Sequence, residues 1–497
     1  MCAALTQLLA MGCASSSPVG PPSKALKLLT AAVTADDEYK GPKPPTSSEK
    51  AAVQEVLSLK GCTLATSWQA NAVAAVVPHM KALKKIDLSG CQFGGQGSLA
   101  VFGAFAKGQP EGLTVLNLAA NWQGAGGPVM TVLAKSLQAG NFQSLTSLDL
   151  SYNAVGGDGM AALATALTAW KPPLQKLAMA DCQIGASGCK SLVDALLTLP
   201  SAGNSFTLDL FSNQAGKQGC ADLGRAFENG VAFQYLSTKD CAFGSDGVVE
   251  FATGLAKSPK LDKLESLDLS SSGVGIGDEQ GCVKLAEAFE TAAFPSLKQL
   301  NLAENSLYDG YCDPLLKSLT KLAPALTWID LACNRLRGPE GLTISESMKS
   351  LTSLKTIGLN ENFWMGDDAM AAILTSAADL PKLSDMHFCN TGAGPKAAEA
   401  GKVCLATKKA AGYATLADAD PDKPPLLIDL RENKDLTAAV QEELKAAGAT
   451  VGRVPGDTAG AKALVVKFTA FEWKGDSLFV IGEDEGGQAN QAKVSVG

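Results

Sequence analysis

Leu145-Thr-Ser-Leu148-Asp-Leu150-Ser-Tyr-Asn153-Ala-Val155 has apolar residues at offsets 0, 3, 5 and 10, and an asparagine at offset 8. Leu148 and Leu150 stand two apart, so on an extended segment they point one way while Asp149 points the other. The same frame recurs. Leu113, Leu116 and Leu118 lead to Asn121; Leu297, Leu300 and Leu302 to Asn305; Leu326, Ile329 and Leu331 to Asn334; Leu354, Ile357 and Leu359 to Asn362. Weaker copies start at Leu83, Leu174, Ser205, Phe233, Leu264 and Leu383, with a degenerate first copy at Gln54. Successive starts lie 28 to 33 residues apart. The second half of each unit is regular too. Gly159, Leu163 and Leu167 fall at offsets 14, 18 and 22, as do Gly188, Leu192 and Leu196. A spacing of four is helical with one apolar face. The offset-14 glycine is expected where the chain turns tightly into that helix. Each unit is a strand, a turn and a helix that cannot bury its apolar face alone, so stacked units must share one core.

This pattern resembles the leucine-rich repeat family in its long-repeat, ribonuclease-inhibitor-like branch, over roughly three quarters of the chain. The resemblance implies an α/β solenoid, a horseshoe with a parallel concave sheet and outer helices, that binds other proteins. It also implies that offset 8 points inward and satisfies backbone groups. That position reads Cys62, Cys91, Asn121, Asn153, Cys182, Asn213, Cys241, Ser272, Asn305, Asn334, Asn362 and Thr391. Asn both donates and accepts, and Cys is a compact, weaker substitute. Those cysteines are therefore read as structural.

The chain has 497 residues, 50 of them glycine, and only 6% aromatics. Packing by small and aliphatic side chains rather than large aromatic clusters is expected. Net charge is −8, which disfavours sequence-independent nucleic-acid binding and suits a basic partner. Thirteen cysteines lack any C-x-x-C pair, and there are two histidines, His79 and His387. No cofactor or metal is expected. Reduced, scattered cysteines place the chain in the cytoplasm, and no apolar run approaches the ~20 residues of a membrane span.

Four regions are expected: an N-terminal tail and helical cap over 1–49, about twelve repeats over 50–412, a displaced thirteenth unit over 413–455, and a hairpin cap with a flexible tail over 456–497. Leu426–Leu430 followed by Asn433 restores the strand frame, and Leu436–Ala447 reads as a helix ending at Gly448. Asp418, Asp420 and Asp422 alternate as in a calcium loop, but Lys423 stands where a glycine is required. Translation from Met11 would expose Gly12 for myristoylation and Cys13 for a second acyl chain. Membrane or organelle attachment through the N-terminus is the alternative to the cytoplasm.

Offset 4 lies between the two strand leucines and faces away from the core. It carries Asp87, Asp149, Asp209, Asp268 and Asp330, and no Lys or Arg. Strands ~4.8 Å apart would place these carboxylates roughly 10 Å from one another, so all five could ionise. A short polar residue kept for solubility explains the row equally well. Tyr152 and Phe211 follow strand ends, Tyr235 and Trp328 occupy offset 2, and Trp122 and Phe363 occupy offset 9. Exposed aromatics on a curved sheet are the usual anchors of an interface. The expected function is non-enzymatic recognition or scaffolding, with a basic partner surface on the concave sheet. A regulator of a small GTPase, of the activating type, is the alternative.

Overall fold

The computed structural model describes residues 56–451 except 62–69, 71–72, 75–82, 106–111, 123–125, 140–141, 277–278, 309, 323–324, 416–422 and 424, together with the strands at 467–474, 477–483 and 489–494. Gly12, Cys13, Cys62, the N-terminal cap and the acidic loop at 418–422 lie outside the described residues. The chain divides into two compact units, one up to Thr450 and one from Val451.

In the first unit the strands are β1 (Val56–Ser58), β2 (Lys85–Asp87), β3 (Val115–Asn117), β4 (Ser147–Asp149), β5 (Lys176–Ala178), β6 (Phe206–Asp209) and β7 (Phe233–Ser237). They continue as β8 (Ser266–Asp268), β9 (Gln299–Asn301), β10 (Trp328–Asp330), β11 (Thr356–Gly358), β12 (Asp385–His387), β13 (Ala414–Thr415) and β14 (Pro425–Asp429). β1 to β12 all end on offset 4 of the sequence frame. They pair in parallel in chain order, with β14 beside β12 and β13 at the outer edge, as one open fourteen-stranded sheet. Register is kept from β3 to β6, where Leu116 faces Leu148, which faces Leu177, which faces Leu208, and it shifts once, between Phe206 and Thr207, where β6 meets β7. The offset-3 residues form one row and the offset-5 residues another, and both are buried under the helices. Each fully buried leucine contributes ~1.5–3 kcal/mol.

The helices begin at offset 11 in five of the units, at Gly94, Gly156, Gly185, Gly216 and Gly244, whose φ values run from 59° to 69°. These glycines make the tight turn, not those at offset 14. Gly159 and Gly188 lie inside their helices, where a Cβ would come within 2.9 Å of Met130 Cγ and 3.2 Å of Met160 Cβ, each in the preceding unit. They are small because neighbouring units pack against them.

The few aromatics concentrate in the core, against the expectation from composition. Phe102 packs edge-on to Trp122 at 5.5 Å, Phe105 to Phe142 at 5.8 Å and Phe227 to Phe251 at 5.6 Å. Trp122, read as flanking the concave surface, is 1% exposed.

The offset-8 ladder is wired between units. Asn153 Nδ2 donates to the carbonyls of Leu150 at 2.7 Å and of Leu118, one unit back, at 3.0 Å. Its Oδ1 accepts from Asn121 N and Trp122 N at 2.8 and 3.0 Å. Cys182 and Cys241 copy this more weakly, donating Sγ–H to Leu150 and Leu210. Burial raises both thiols, Cys241 to about 12, so they are protonated structural groups.

The displaced unit adds helix Ala438–Ala447, with Thr437 as N-cap and Gly448 at φ 109° after it. The second unit is a separate antiparallel sheet, β15 (Lys467–Lys474), β16 (Ser477–Glu483) and β17 (Ala489–Val494). The expected hairpin is its first pair. β17 is a third strand in the segment read from sequence as a flexible tail.

Candidate functional site

The sheet face opposite the helices carries the residues at offsets 2 and 4. There the five aspartates have a local task. Asp87, Asp149, Asp209, Asp268 and Asp330 each accept, through Oδ1, the backbone N–H two residues on, at 2.9 to 3.1 Å. Asn117 and Asn301 accept in the same way. A short carboxylate or carboxamide at offset 4 therefore closes the turn that ends the strand.

The row faces away from the core, as the spacing suggests, but does not stand free in solvent. Asp87 is buried, and the other four are half-buried. Burial raises the pKa of Asp149, Asp268 and Asp330, against the lowering effect of the turn N–H each accepts. Asp209 is pushed up to about 6, by burial first and then by Asp149 and Asp268 on either side. Bases also reach the row. Lys176 favours the ionised forms of Asp149 and Asp209, and Lys239 those of Asp268 and Asp330. His387, itself at offset 4, is half-buried with Nε2 3.0 Å from Asp385 Oδ1. Burial opposes its charged form, but Asp385, Asp429 and Asp330 outweigh burial and raise its pKa.

Among the four anchor candidates, Tyr235 stands in register between Thr207 and Ser266. Its phenol is raised by burial and then by Asp209 and Asp268, so the fold gathers Asp209, Tyr235 and Asp268 into one patch. Phe211 joins them with the Lys239 ammonium 5.8 Å from its ring centre. Trp328 lies on β10, half-buried between Gln299 and Thr356. Tyr152 is half-buried, at φ 59°. Asp87 and Tyr152 are displaced from the patch by several strands.

A second row escaped the sequence reading. Offset 7 adopts left-handed backbone in unit after unit: Ala120, Tyr152, Asp181, Ser212, Asp240, Ser271, Glu304, Cys333, Glu361, Asn390 and Glu432 have φ between 49° and 60°. Only Gly61 and Gly90 signal it by residue type. Asp181, Asp240, Glu304 and Glu432 are exposed, so this row carries more exposed carboxylate than offset 4. Glu361, Cys389 and Glu432 bring their ligand atoms within 4.8 Å of one another. Burial pushes the Cys389 thiol up to about 12, with Asp429, Glu432 and Glu361 adding to it. With no metal bound, the thiol is favoured in its protonated form.

A sequence profile described as "Leucine Rich repeat" matches residues 143–164 and 171–193, the units around β4 and β5. A ribonuclease inhibitor from Mus musculus is 30% identical over 45% of this chain and 47% of its own length. The fold is a leucine-rich repeat solenoid, and the sequence is similar to ribonuclease inhibitors. A second ribonuclease inhibitor, from Sus scrofa, is 26% identical over 62% of this chain and 65% of that protein. Human NACHT, LRR and PYD domains-containing protein 13 is 31% identical over 39% of this leucine-rich repeat chain and 18% of that protein. The chain spans about half of the mouse inhibitor and less than two thirds of each of these relatives. Two solved structures match at lower scores. The yeast Rad7 and Elc1 complex has 12% identity and a TM-score of 0.46, covering 90% of this chain and 92% of the other. An internalin (inlF) of Listeria monocytogenes has 15% identity and a TM-score of 0.41, covering 78% and 93%. Among the described residues no helix is long and apolar enough to cross a membrane.

Proposed function

We propose that this leucine-rich repeat chain is a non-enzymatic recognition or scaffold component that holds a partner protein with a basic surface against its concave sheet. The observation that carries the reading is the patch of Asp209, Phe211, Tyr235 and Asp268 on β6 to β8. Its rings and carboxylates stand on a hydrogen-bonded ladder, so binding a partner there costs little ordering. Trp328 and Asp330 extend it to β10. Asp87, Asp149 and Tyr152 supply its N-terminal margin. The ribonuclease inhibitors are by name inhibitors of an enzyme, which supports a protein as the ligand of this chain too.

The test is affinity enrichment with the full chain, followed by mass spectrometry, run in parallel with two variants. Tyr235→Ala with Trp328→Ala removes two rings from the concave face. Lys190→Ala with Lys217→Ala alters the helical face. Each true anchor should cost roughly 2 kcal/mol, mainly through faster dissociation. Partners lost from the concave variant and kept by the helical-face variant support the reading. The reverse pattern refutes it.

A further inference from the structure

His387 is the one basic group in the offset-4 row. Between it and Asp330, on β11, the offset-4 position is Gly358. With no side chain there, the Asp330 carboxylate lies across β11. A Cβ on Gly358 would collide with Asp330 Oδ1 and stand 3.0 Å from its Cγ. The other four aspartates each have a side chain beside them on the next strand, at Asn117, Ala178, Ser237 and Asn301. Asp330 alone can lean over its neighbour, and it leans toward His387. From its own strand His387 is held by Asp385, whose Oδ1 is 3.0 Å from Nε2 and whose Oδ2 accepts from Thr356 Oγ1 on β11 at 3.4 Å. On the far side His387 is in register with Asp429 of β14. Asp429 carries its own cation, with Arg431 Nη2 at 2.6 Å. β11 brings only Thr356, Ile357 and Gly358, none of them titratable. Lys239 also acts on Asp330, but lysines do not titrate near neutral pH.

We propose that His387 is a proton-operated gate on the concave face: charged, it cancels the field of Asp330 and Asp385, and neutral, it leaves them to a basic partner. This deepens the proposed function and rests on it, because Trp328 and Asp330 form the C-terminal end of the proposed contact surface. Burial opposes the imidazolium, but Asp385, Asp429 and Asp330 together favour it. The proton is therefore taken up above the ordinary histidine range. As pH falls through that point the row gains a positive charge, and a basic surface is held less tightly. Linkage makes the effect reciprocal: a bound cation weakens the hold of His387 on its proton by the same factor. Gly358 is the part that permits the gate. A side chain there would push Asp330 off β11 and weaken its pull on His387.

The test is a pH titration of the imidazole resonances of the full chain by NMR, without and with acetyl-tetralysine-amide as the probe. The chain has two histidines, His79 and His387, and His387→Gln assigns the signal. The His387 midpoint should lie above about 6.5. Gly358→Ala and Asp330→Asn should each lower it, with circular dichroism confirming that both variants are folded. Tetralysine should bind about threefold more weakly when His387 is charged than when it is neutral, as one unit charge at close range in water implies. By linkage it should lower the His387 midpoint by about half a pH unit. In His387→Gln the loss of affinity on acidification should shrink by about the same factor. A midpoint at or below about 6.5, or one that neither Gly358→Ala nor Asp330→Asn moves, overturns the gate. So does tetralysine binding that leaves the midpoint in place, or a pH dependence of binding that His387→Gln does not change. In each of those cases saturable tetralysine binding leaves the concave-face reading standing. No saturable binding at any pH refutes the basic-partner reading, and the gate with it.

Discussion

Asn305→Ala tests the inter-unit wiring at a well-connected point. Asn305 is fully buried. Its Oδ1 accepts from Ser272 N, Gly273 N and Val274 N at 2.9 to 3.1 Å, and its Nδ2 donates to Leu269 O and Ala303 O at 2.8 and 3.0 Å. One carbonyl oxygen has two lone pairs, so three donors are worth two good bonds. With two donated bonds the total is four, at about 1 kcal/mol each, giving a loss of about 4 kcal/mol. Asn305→Cys should lose about half of that, because a thiol still donates once and accepts weakly, as Cys182 and Cys241 do in their own units. Urea unfolding followed by circular dichroism measures the loss, and hydrogen exchange at Ser272 to Val274 localises it. A loss below about 1 kcal/mol for alanine, or equal losses for alanine and cysteine, would show that these bonds do not hold the units together.

Asp209 should titrate near 6, because burial disfavours its charge. A carboxyl whose folded pKa is raised contributes stability below its unfolded pKa and loses it as pH rises through the folded value. Stability should therefore fall between about pH 4 and 6, and Asp209→Asn, which keeps an acceptor for Phe211 N, should flatten that fall; a carboxyl NMR midpoint near 4 would contradict it. Gly219→Ala should destabilise by about 1–3 kcal/mol, since the new Cβ meets Ala215 Cβ at 2.5 Å and Cys189 Cβ at 3.2 Å. Gly103→Ala, in open space on helix Gly94–Phe105, should stabilise by about 0.5–1 kcal/mol; thermal melts of the pair would expose an error if both shift the same way.

The strands were legible because a three-residue strand between two buried leucines leaves little freedom. Leu148 and Leu150 set the core face, and the offset-8 residue set the turn, so β1 to β12 all lie within that frame. The helix entry was misassigned by three residues because the offset-11 and offset-14 glycines look alike in sequence, although one needs left-handed φ and the other needs room. The aspartate row was visible but its environment was not. Whether a carboxylate at offset 4 reaches solvent depends on neighbours some thirty residues away, such as Tyr235 beside Asp209. The offset-7 row was hidden because left-handed backbone is usually marked by glycine, and here Tyr152, Glu304 and Glu361 occupy it. Trp122 and Phe363 share offset 9 yet one is core and the other surface, a distinction no spacing rule carries.

The Asn ladder runs in one direction. At Asn153, Asn213, Asn305, Asn334, Asn362 and Asn433 the carboxamide oxygen accepts from turn amides of the preceding unit, and no unit supplies that oxygen to itself. Growth toward the C-terminus thus completes what came before, whereas growth toward the N-terminus adds amides to an oxygen already in place. Asn433 shows the consequence. Although 42 residues separate it from Thr391, its Oδ1 accepts from Thr391 N and Ala393 N at 2.8 and 2.9 Å. The insertion before β14 is accommodated because the displaced unit still returns an acceptor to the turn it follows. Trimming repeats from the C-terminal side should leave donors bare, and trimming from the N-terminal side should leave acceptor capacity unused, so deletion series from the two ends should not be mirror images.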